Sequence, residues 1–329
     1  MLKILILGGT QFIGRNLVEQ LLLRQDLDIT LFNRQQNNAH LFPDLKKIKG
    51  DRETNEIEKV CHQNWDVIID VSSYYPNSLE HFIGKLKGKV KRYIYVSTIS
   101  VYDLEKYSTS LIEESFETFK CSEKERTDTT MLTYGKRKAE CERVLLNATW
   151  LDKIILRPSI TFGAYDHTDR FYFWLYRIKK MKRFILPDKG KDRLTLTYAK
   201  DLARIMERSM EIKEHSVIYN ATTTTPTSLN EVVAKMKAVL NSNAEVIAIP
   251  TEKLISEKIE PGSDIPLWFG QEVLISNEKI KKEMELEFTS LENSIEETIS
   301  FYDELHWPFP KVGVNAEKEI ELLKQLYRS

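Results

Sequence analysis

The stretch LKILILGGTQFIG, residues 2–14, decides the fold of this 329-residue chain. Its apolar first half is typical of a buried strand, and an amphipathic helix follows the glycine-rich turn. Gly8 permits a tight bend, Gly9 allows a ligand to approach closely, and Gly14 lets the helix pack near the strand. We therefore predict a unit whose helix start holds a pyrophosphate through backbone N–H groups, with a turn that serves packing alone as the alternative.

The rest of the first half alternates apolar strand patterns with helical patterns. Strands are predicted near residues 3–7, 28–32, 66–71, 92–97 and 153–156. Such alternation is typical of parallel βαβ units, so we predict an α/β fold with a Rossmann-type, doubly wound parallel sheet over residues 1–160. Residues 161–329 are predicted to form a smaller C-terminal α/β substrate-binding region, and the chain is free to cross back between the two.

The second half has a looser pattern. A helix is predicted near residues 170–183, strands near 193–197 and 216–220, and a further helix after Ser228, which has the spacing of a capping box. The polar segment 103–130 is either an active-site flap or a variable surface loop, and the sequence leaves both open.

Composition excludes several classes of function. Lys and Arg (48) almost balance Asp and Glu (49), and the net charge of -1 gives no overall basic field, so no nucleic-acid partner is expected. The first apolar run is short for a signal peptide and no stretch has the length of a membrane span, so we expect a cytoplasmic protein without a membrane partner. Cys61, Cys121 and Cys141 show no ligand spacing, and neither a disulfide framework nor a metal site is predicted.

The second predicted strand ends in Asn33 and Arg34, where dinucleotide-binding folds contact the adenosine ribose. A carboxylate at this place would bond the ribose hydroxyls and repel a 2'-phosphate, and none is present. Arg34 offers a cation to that phosphate. We therefore predict that NADP(H) is favoured over NAD(H), and a solvent-exposed Arg34 without a role is the alternative.

Tyr134 and Lys138 stand at the start of a predicted helix, four residues apart and hence on one face. A phenol that titrates near pH 10 is a poor base at neutral pH, and a neighbouring ammonium can stabilise its phenolate. The pair can pass a proton to or from a carbinol while a hydride moves to a nicotinamide. A Tyr and a Lys at this spacing also occur by chance, so the pair needs its context.

Four motifs in order supply that context. The glycine turn, a hydroxyl-rich strand end at Thr98, the Tyr134/Lys138 helix and the Arg-Pro segment 157–163 together resemble the extended and atypical short-chain dehydrogenase/reductase superfamily. The turn is similar to the Gly-x-x-Gly-x-x-Gly motif of this superfamily, with Gln11 at the middle glycine position, where a side chain crowds the adenosine ribose or contacts it. The resemblance covers the first half and weakens after residue 165.

The resemblance implies roles that the patterns alone do not. It places the Thr98 hydroxyl on the substrate hydroxyl, with Ser97 and Ser100 as neighbours, and it implies homodimers through paired helices. It also places Asp51 and Arg52 near the adenine, Val71 and Ser72 near the ribose, and Pro158 near the nicotinamide carboxamide. The complete predicted cofactor site is Gly8, Gly9, Gln11, Phe12, Ile13, Gly14, Asn33, Arg34, Asp51, Arg52, Val71, Ser72, Ser97 and Pro158.

The reaction class is narrowed by the residues after Thr98. Sugar 4,6-dehydratases of this superfamily need acid and base side chains there, and this chain has Ile99 and Ser100, which disfavours dehydration. Keto reduction, alcohol oxidation or epimerisation through a transient ketone stay open, because each requires only Thr98, Tyr134, Lys138 and the nicotinamide.

The predicted substrate residues are Ser100, Arg170 and Arg193. The aromatic and charged stretch 168–177 can stack a ring and pair a phosphate, although most of its aromatics suit a core. In members that use nucleotide sugars, an arginine seven residues before an Asp holds the diphosphate; that place before Asp201 holds Leu194, with Arg193 beside it. We predict a sugar-like substrate. A shift of one residue along a strand turns the side chain to the opposite face, so Arg193 does not replace an arginine at the position of Leu194, and we leave open whether the substrate is nucleotide-linked.

A non-catalytic alternative comes from the same glycine turn, which also resembles that of chloroplast stem-loop-binding proteins of the superfamily. An NADP-sensing or RNA-binding protein is therefore the second hypothesis, and a catalytically idle scaffold is the third. The near-neutral net charge and the intact Tyr134/Lys138 pair favour the enzyme.

Overall fold

The computed structural model describes residues 1–314 and 316–326. Its strands are β1 (Leu2–Leu7), β2 (Leu27–Asn33), β3 (Lys46–Lys49), β4 (Trp65–Asp70), β5 (Val90–Val96), β6 (Asp152–Arg157), β7 (Ile160–Phe162), β8 (Arg183–Pro187), β9 (Arg193–Leu194), β10 (Leu196–Tyr198), β11 (Val217–Asn220), β12 (Thr227–Ser228) and β13 (Glu245–Ile249). Its helices are α1 (Phe12–Leu21), α2 (Pro76–Lys85), α3 (Glu123–Arg126), α4 (Tyr134–Asn147), α5 (Tyr172–Lys180), α6 (Ala199–Arg208), α7 (Leu229–Val239), α8 (Thr251–Ser256), α9 (Glu278–Met284), α10 (Leu291–Glu304) and α11 (Ala316–Leu326).

Seven strands form the main sheet, in the order β3-β2-β1-β4-β5-β6-β11, and neighbouring strands are parallel. The strand order reverses between β1 and β4, which is the doubly wound Rossmann arrangement, so the predicted fold class is confirmed. In such sheets a crevice opens at the carboxyl ends of the two strands that flank the reversal, and ligands bind there. Here those ends are Leu7 and Asp70.

The continuous apolar run of β1 follows from burial on both faces of the sheet. Ile4 and Ile6 belong to a core with α1, α6 and α9, whereas Leu5 and Leu7 belong to a core with α2 and α4. All four side chains are buried, as a central parallel strand requires. Successive side chains of a strand point to opposite faces, so these two cores lie on the two sides of the sheet.

The second half packs around a separate, aromatic core that α5, α7 and α10 share with two-stranded sheets β7–β10, β8–β13 and β9–β12. Helix α5 is shorter than its predicted range of 170–183, because the backbone at Asp169 is left-handed (φ 51°) and Arg183 already pairs with Glu245 in a strand. The predicted strand 193–197 divides into β9 and β10, which join different sheets. The capping box at Ser228 is confirmed.

The chain returns to the main sheet after leaving it. Strand β11 pairs with β6, from Val217 beside Ile154 to Asn220 beside Arg157, and α6 packs against α1. The predicted C-terminal region 161–329 therefore contributes the strand β11 and the helices α6 and α9 to the amino-terminal half. Residues 315 and 327–329 of that region lie outside the described residues.

The polar segment 103–130 is held against the body of the protein. Its Thr118 forms a bridge with Tyr102, and its Ile112 forms one with Ile275. Helix α3 within it lies on α2 and α4, since Arg126 pairs with Glu80 and Glu140. No helix within residues 1–314 and 316–326 has both the length and the apolar character that a membrane span needs.

Candidate active site

A cleft of about 370 Å³ opens at the carboxyl ends of β1, β2 and β4. Most of the predicted cofactor residues line it: Gly8, Gly9, Gln11, Phe12, Ile13, Gly14, Asn33, Arg34, Asp51, Arg52, Val71 and Ser72. The structure thus brings together residues of four separate loops, which approach one another only because parallel strands end at the same edge of the sheet.

The glycine turn forms a cradle that side chains would fill. A Cβ atom on Gly14 would lie 2.7 Å from the backbone nitrogen of Gly9, and Gly8 has a backbone φ of +114°, which L residues rarely adopt. Backbone groups therefore face the cleft directly at the start of α1, where N–H groups and the helix dipole favour an anion. These features fit the pyrophosphate of a dinucleotide.

Asn33 braces this cradle. Its side-chain amide donates to the carbonyl of Gly8 at 2.8 Å, and its carbonyl oxygen accepts from the backbone of Gln35 at 3.0 Å. Asn38 makes a similar bridge, donating to the carbonyl of Thr10 at 2.9 Å. Arg34, between them, is exposed on the cleft wall and makes no ion pair with any residue that the structure describes. The cation is therefore free for a ligand.

The floor of the cleft beyond Ser72 contains a buried ion pair. Arg52 donates to Asp70 at 2.7 Å and to the Ser72 hydroxyl at 3.2 Å. Burial opposes ionisation of Asp70, but the charge of Arg52 and hydrogen bonds from Ser73 and Tyr93 outweigh it, so the pKa of Asp70 lies below its ordinary value. The guanidinium of Arg52 therefore has Asp70 as its counter-ion, whereas its Nε and Nη2 atoms are buried without a hydrogen-bond partner among the described residues.

The end of β5 brings the hydroxyl residues to the start of helix α4. The Thr98 hydroxyl accepts from the backbone N–H of Ser100 at 3.1 Å and donates to the Ser100 hydroxyl at 3.2 Å. The carbonyl of Pro158 accepts from the backbone of Ile99 at 3.0 Å, which fixes Pro158 beside this strand end. The structure therefore brings Thr98, Ser100 and Pro158 together.

Helix α4 begins at Tyr134, as the sequence predicts, and approaches Thr98 because of Gly135. A Cβ atom on Gly135 would lie 2.0 Å from the carbonyl oxygen of Ser100, so only glycine allows the start of the helix to lie against the turn after β5. The Tyr134 phenol consequently lies near Thr98, whose hydroxyl acts to lower the phenol pKa.

Lys138 lies one helical turn further on and is buried. Its ammonium donates to the carbonyls of Ser73 at 2.8 Å and Val96 at 2.7 Å, and the ring of Tyr95 lies 4.2 Å from its nitrogen. Burial lowers the pKa of Lys138 to about 8 because the charged form loses its hydration. The carbonyls at the ends of β4 and β5 thus hold the ammonium in place.

The Tyr134 phenol is protonated at neutral pH. Burial, assisted by the neighbouring Tyr74, raises the pKa of Tyr134 to about 12, and Thr98 together with the cations of Arg170 and Arg137 offsets only part of that rise. In this state the phenol is a hydrogen-bond donor and a proton source. To act as a base, it needs additional positive charge nearby.

Two predicted residues are not brought to the site. The Ser97 hydroxyl donates to Glu142 at 2.6 Å, in a buried cluster with Arg157, so its side chain points away from the cleft. Arg193 bonds both carboxylate oxygens of Glu272 at the surface. Arg170, by contrast, lies near enough to Tyr134 to affect the phenol pKa.

Several cleft residues were missed by reasoning from the sequence, notably Gln35, Gln36, Asn37, Glu53, Tyr74, Tyr75 and His167. Tyr74 and Tyr75 lie in the loop after β4, immediately after the predicted residues Val71 and Ser72 and their neighbour Ser73, and that position was a usable signal. His167 is different: it comes from the loop after β7 and meets the ring of Phe12 edge-on at 6.1 Å. No local pattern indicates that contact.

The sheet order and the glycine-turn cleft define a Rossmann-type protein of the extended short-chain dehydrogenase/reductase class. Residues 4–222 match the sequence profile of the NAD dependent epimerase/dehydratase family. The chain belongs to that family. No curated protein sequence matches the chain significantly.

Solved structures agree on the fold. UDP-glucuronic acid 4-epimerase from Bacillus cereus, in complex with NAD, is 16% identical with a TM-score of 0.71, over 93% of this chain and 100% of that one. UDP-N-acetylglucosamine 4-epimerase from Methanobrevibacter ruminantium M1 is 18% identical with a TM-score of 0.73, over 92% and 99%. dTDP-glucose 4,6-dehydratase from Bacillus anthracis str. Ames, in complex with NAD, is 19% identical with a TM-score of 0.71, over 92% and 97%.

Proposed function

We propose that this protein is an NADP(H)-dependent oxidoreductase or epimerase that acts on a hydroxyl or ketone of a sugar-like substrate. The observation that carries the proposal is that Tyr134, with Thr98 near enough to affect its pKa, and buried Lys138 both contact Tyr74 at the edge of a cleft whose glycine turn suits a pyrophosphate. The two 4-epimerases and the dehydratase named above are nucleotide-sugar enzymes by their names, which supports a nucleotide-linked sugar as the substrate.

The roles of the side chains follow from their surroundings. When bound, the nicotinamide supplies or accepts a hydride. The Thr98 hydroxyl orients the substrate oxygen, and the protonated Tyr134 phenol donates its proton to that oxygen during reduction of a ketone. Lys138 lies on the same face of α4 as Tyr134, and the carbonyls of Ser73 and Val96 hold its ammonium in place. This ammonium stabilises the phenolate that the proton transfer leaves behind. In the oxidative direction the same phenolate takes the proton back.

The cofactor preference rests on Asn33 and Arg34. No carboxylate stands at the end of β2 to bond the ribose hydroxyls, and the Asn33 amide is occupied by the glycine turn. The exposed Arg34 guanidinium is available for a 2'-phosphate. The Bacillus structures named above hold NAD, so the preference for NADP(H) depends on these two residues alone.

The cofactor preference is tested by parallel titrations with NADPH and NADH, followed by nucleotide fluorescence. We expect tighter binding of NADPH, and Arg34→Ala should weaken it by about tenfold or more, as for loss of a charged hydrogen bond, with NADH binding little changed. Arg193→Ala is the matched control, because this arginine is exposed and bonded to Glu272 away from the cleft. Tighter binding of NADH by the wild type would reverse the assignment.

The reaction is tested with Tyr134→Phe and a panel of nucleotide sugars in the presence of NADP+ or NADPH. We expect this variant to bind NADPH as the wild type does and to lose at least about a hundredfold in turnover, the usual contribution of a positioned proton donor. Tyr75→Phe, on the cleft wall, is the control and should keep activity. Full activity of Tyr134→Phe would remove Tyr134 from the mechanism.

Subunit pairing through paired helices is a separate expectation that the superfamily implies. We propose α2 and α4 as those helices, because they pack together on one side of the main sheet. In this chain helix α3 covers part of that face, because Arg126 pairs with Glu80 of α2 and Glu140 of α4. A homodimer built on these helices therefore has to include α3 in its interface or form beside it.

A further inference from the structure

We infer that Tyr74 determines whether the cleft accepts a whole dinucleotide or only its ADP-ribose part. The inference rests on the proposed function, since it concerns the same cofactor cleft. The cleft wall extends from the glycine turn to Tyr74 and Tyr75. Thr98, Tyr134 and Lys138 are not part of that wall. The open space therefore serves the adenosine and pyrophosphate end, and it stops at the Tyr74 ring.

Tyr74 lines the open cleft, and its ring also contacts the proton-transfer pair. Its centroid is 6.2 Å from that of the Tyr134 ring, and the Lys138 nitrogen is 5.4 Å from its centroid. Both contacts are within the range of favourable aromatic and cation–π interactions. A nicotinamide ribose that approaches Lys138 from the cleft must therefore displace this ring.

The backbone on both sides of Tyr74 is fixed. Ser73, the preceding residue, donates its N–H to Asp70 at 3.0 Å and its carbonyl accepts from Lys138 at 2.8 Å and from the Tyr95 hydroxyl at 3.2 Å. Tyr75, the following residue, is the N-cap of helix α2, and the guanidinium of Arg137 lies 4.8 Å from its ring. The main chain cannot move without breaking these contacts.

The Tyr74 side chain is held much less. It is 46% exposed, and its hydroxyl has no hydrogen-bond partner in the described part of the chain. Rotation about its side-chain bonds therefore gives up the two ring contacts and breaks no hydrogen bond among the described residues. The ring can turn out of the way while the backbone and the Lys138 ammonium stay in place.

This arrangement separates the two ends of the cofactor energetically. An ADP-ribose ligand occupies the open part of the cleft and leaves Tyr74 where it is. A full dinucleotide gains its nicotinamide contacts only by giving up the contacts of Tyr74 with Tyr134 and Lys138. The affinity for the dinucleotide is therefore reduced relative to a protein without this ring, whereas the affinity for ADP-ribose is not.

The test compares NADPH with 2'-phospho-ADP-ribose, which lacks the nicotinamide, by calorimetric titration of the full-length wild type, Tyr74→Ala and Tyr74→Phe. We expect Tyr74→Ala to bind NADPH about threefold to tenfold more tightly, the factor that corresponds to an aromatic contact, and 2'-phospho-ADP-ribose within about twofold of the wild type. Tyr74→Phe keeps the ring and should behave as the wild type with both ligands.

Other results overturn the inference. An equal change for both ligands, or no change for either, would show that the ring does not separate the two ends of the cleft. Weaker NADPH binding by Tyr74→Ala would show that the ring packs on the bound nicotinamide instead. If the wild type bound neither ligand, the proposed function would fail together with the inference, and this result differs from the others because it is already seen without any substitution.

Discussion

Lys138 carries its charge at a buried position, and the cost of that burial has a measurable pH dependence. Its pKa is lowered to about 8 in the folded protein, whereas an unfolded lysine has a pKa of about 10.4. Below pH 8 both states bear the proton, and the folded state bears the full cost of desolvation. Above about 10.4 both are neutral and the cost disappears. The wild type should therefore gain stability relative to Lys138→Met as the pH rises through this window.

The expected gain is on the order of 3 kcal/mol, from the difference between the two pKa values. It is measured as the difference in free energy of unfolding between the wild type and Lys138→Met, from urea denaturation at several pH values. Use of the difference removes the contribution of other titrating groups. A difference that stays constant between pH 8 and 10.4 would mean that Lys138 titrates normally.

Gly135 is a second residue whose effect is predictable, because the space at its Cβ position is already filled by the carbonyl oxygen of Ser100. Gly135→Ala should push the start of α4 away from the turn after β5 and separate Tyr134 from Thr98. We expect a loss of about 1–3 kcal/mol in the free energy of unfolding, as for other overpacked sites, and loss of turnover with NADPH binding retained.

Gly84 provides the control for this substitution. It lies in helix α2, and a Cβ atom there would meet nothing within 4 Å. Gly84→Ala should therefore stabilise the protein by about 0.5–1 kcal/mol, because alanine loses less backbone entropy than glycine in a helix. If the two substitutions gave the same change in thermal unfolding, the close approach of α4 to Ser100 would be wrong.

At the scale of elements, helix α11 is attached by a buried ion pair. Glu319 accepts from the Arg177 side chain at 2.7 Å and from the backbone of Ile185 at 2.8 Å, so one carboxylate joins α11 to α5 and β8. Burial raises the pKa of Glu319 even though Arg177 opposes the rise. The attachment thus depends on a charge that is costly to bury and is stabilised by its partner.

Glu319→Gln should destabilise the protein by about 3–5 kcal/mol, because it leaves the Arg177 charge buried without a counter-ion. Glu317→Gln, on the same helix at an exposed position, should change the free energy of unfolding by less than about 0.5 kcal/mol. Both are compared with the wild type by chemical denaturation. Equal effects of the two substitutions would contradict the role of the ion pair.

The elements that were predicted correctly are those with a strong local period or cap. Strand β1 has apolar side chains on both faces, and α4 begins at Tyr134 and ends at Asn147. Helix α5 was predicted too long at its carboxyl end because that end is set by the pairing of β8 with β13, which is a long-range contact. Local patterns do not contain such contacts.

Site residues divide in the same way. The glycine turn and the Tyr134/Lys138 spacing are local, and the structure shows both as the sequence indicates. Arg193 bonds Glu272, which lies far along the chain, so the residues around Arg193 do not indicate where its side chain points. The hydroxyl of Ser97 is directed at Glu142. Ser97 and Thr98 are neighbours on an extended chain and therefore point to opposite sides, which was a usable indication.

At the scale of the whole molecule, the reversal of strand order between β1 and β4 places the cleft, and the second half completes it. His167 reaches the cleft from the loop after β7, and that loop is tied to α1 because the Asn16 amide donates to the carbonyl of Ala164 at 3.2 Å. Arg15 also stacks on the ring of Tyr165 at 3.6 Å. The sequence could predict the nucleotide-binding half by its alternation, but not which loop of the other half would cover it.

The return of β11 to the main sheet has a consequence for any attempt to divide the protein. A fragment that ended near residue 160 would lack β11 and α6, so the hydrogen-bonding edge of β6 and the apolar side chains of α1 would face water. Unpaired edges and uncovered apolar faces of this kind promote self-association. A chimaera of two relatives that joins the two regions at a single point near residue 160 is therefore expected to fail. A chimaera that folds has to take β11 and α6 from the same relative as the amino-terminal half.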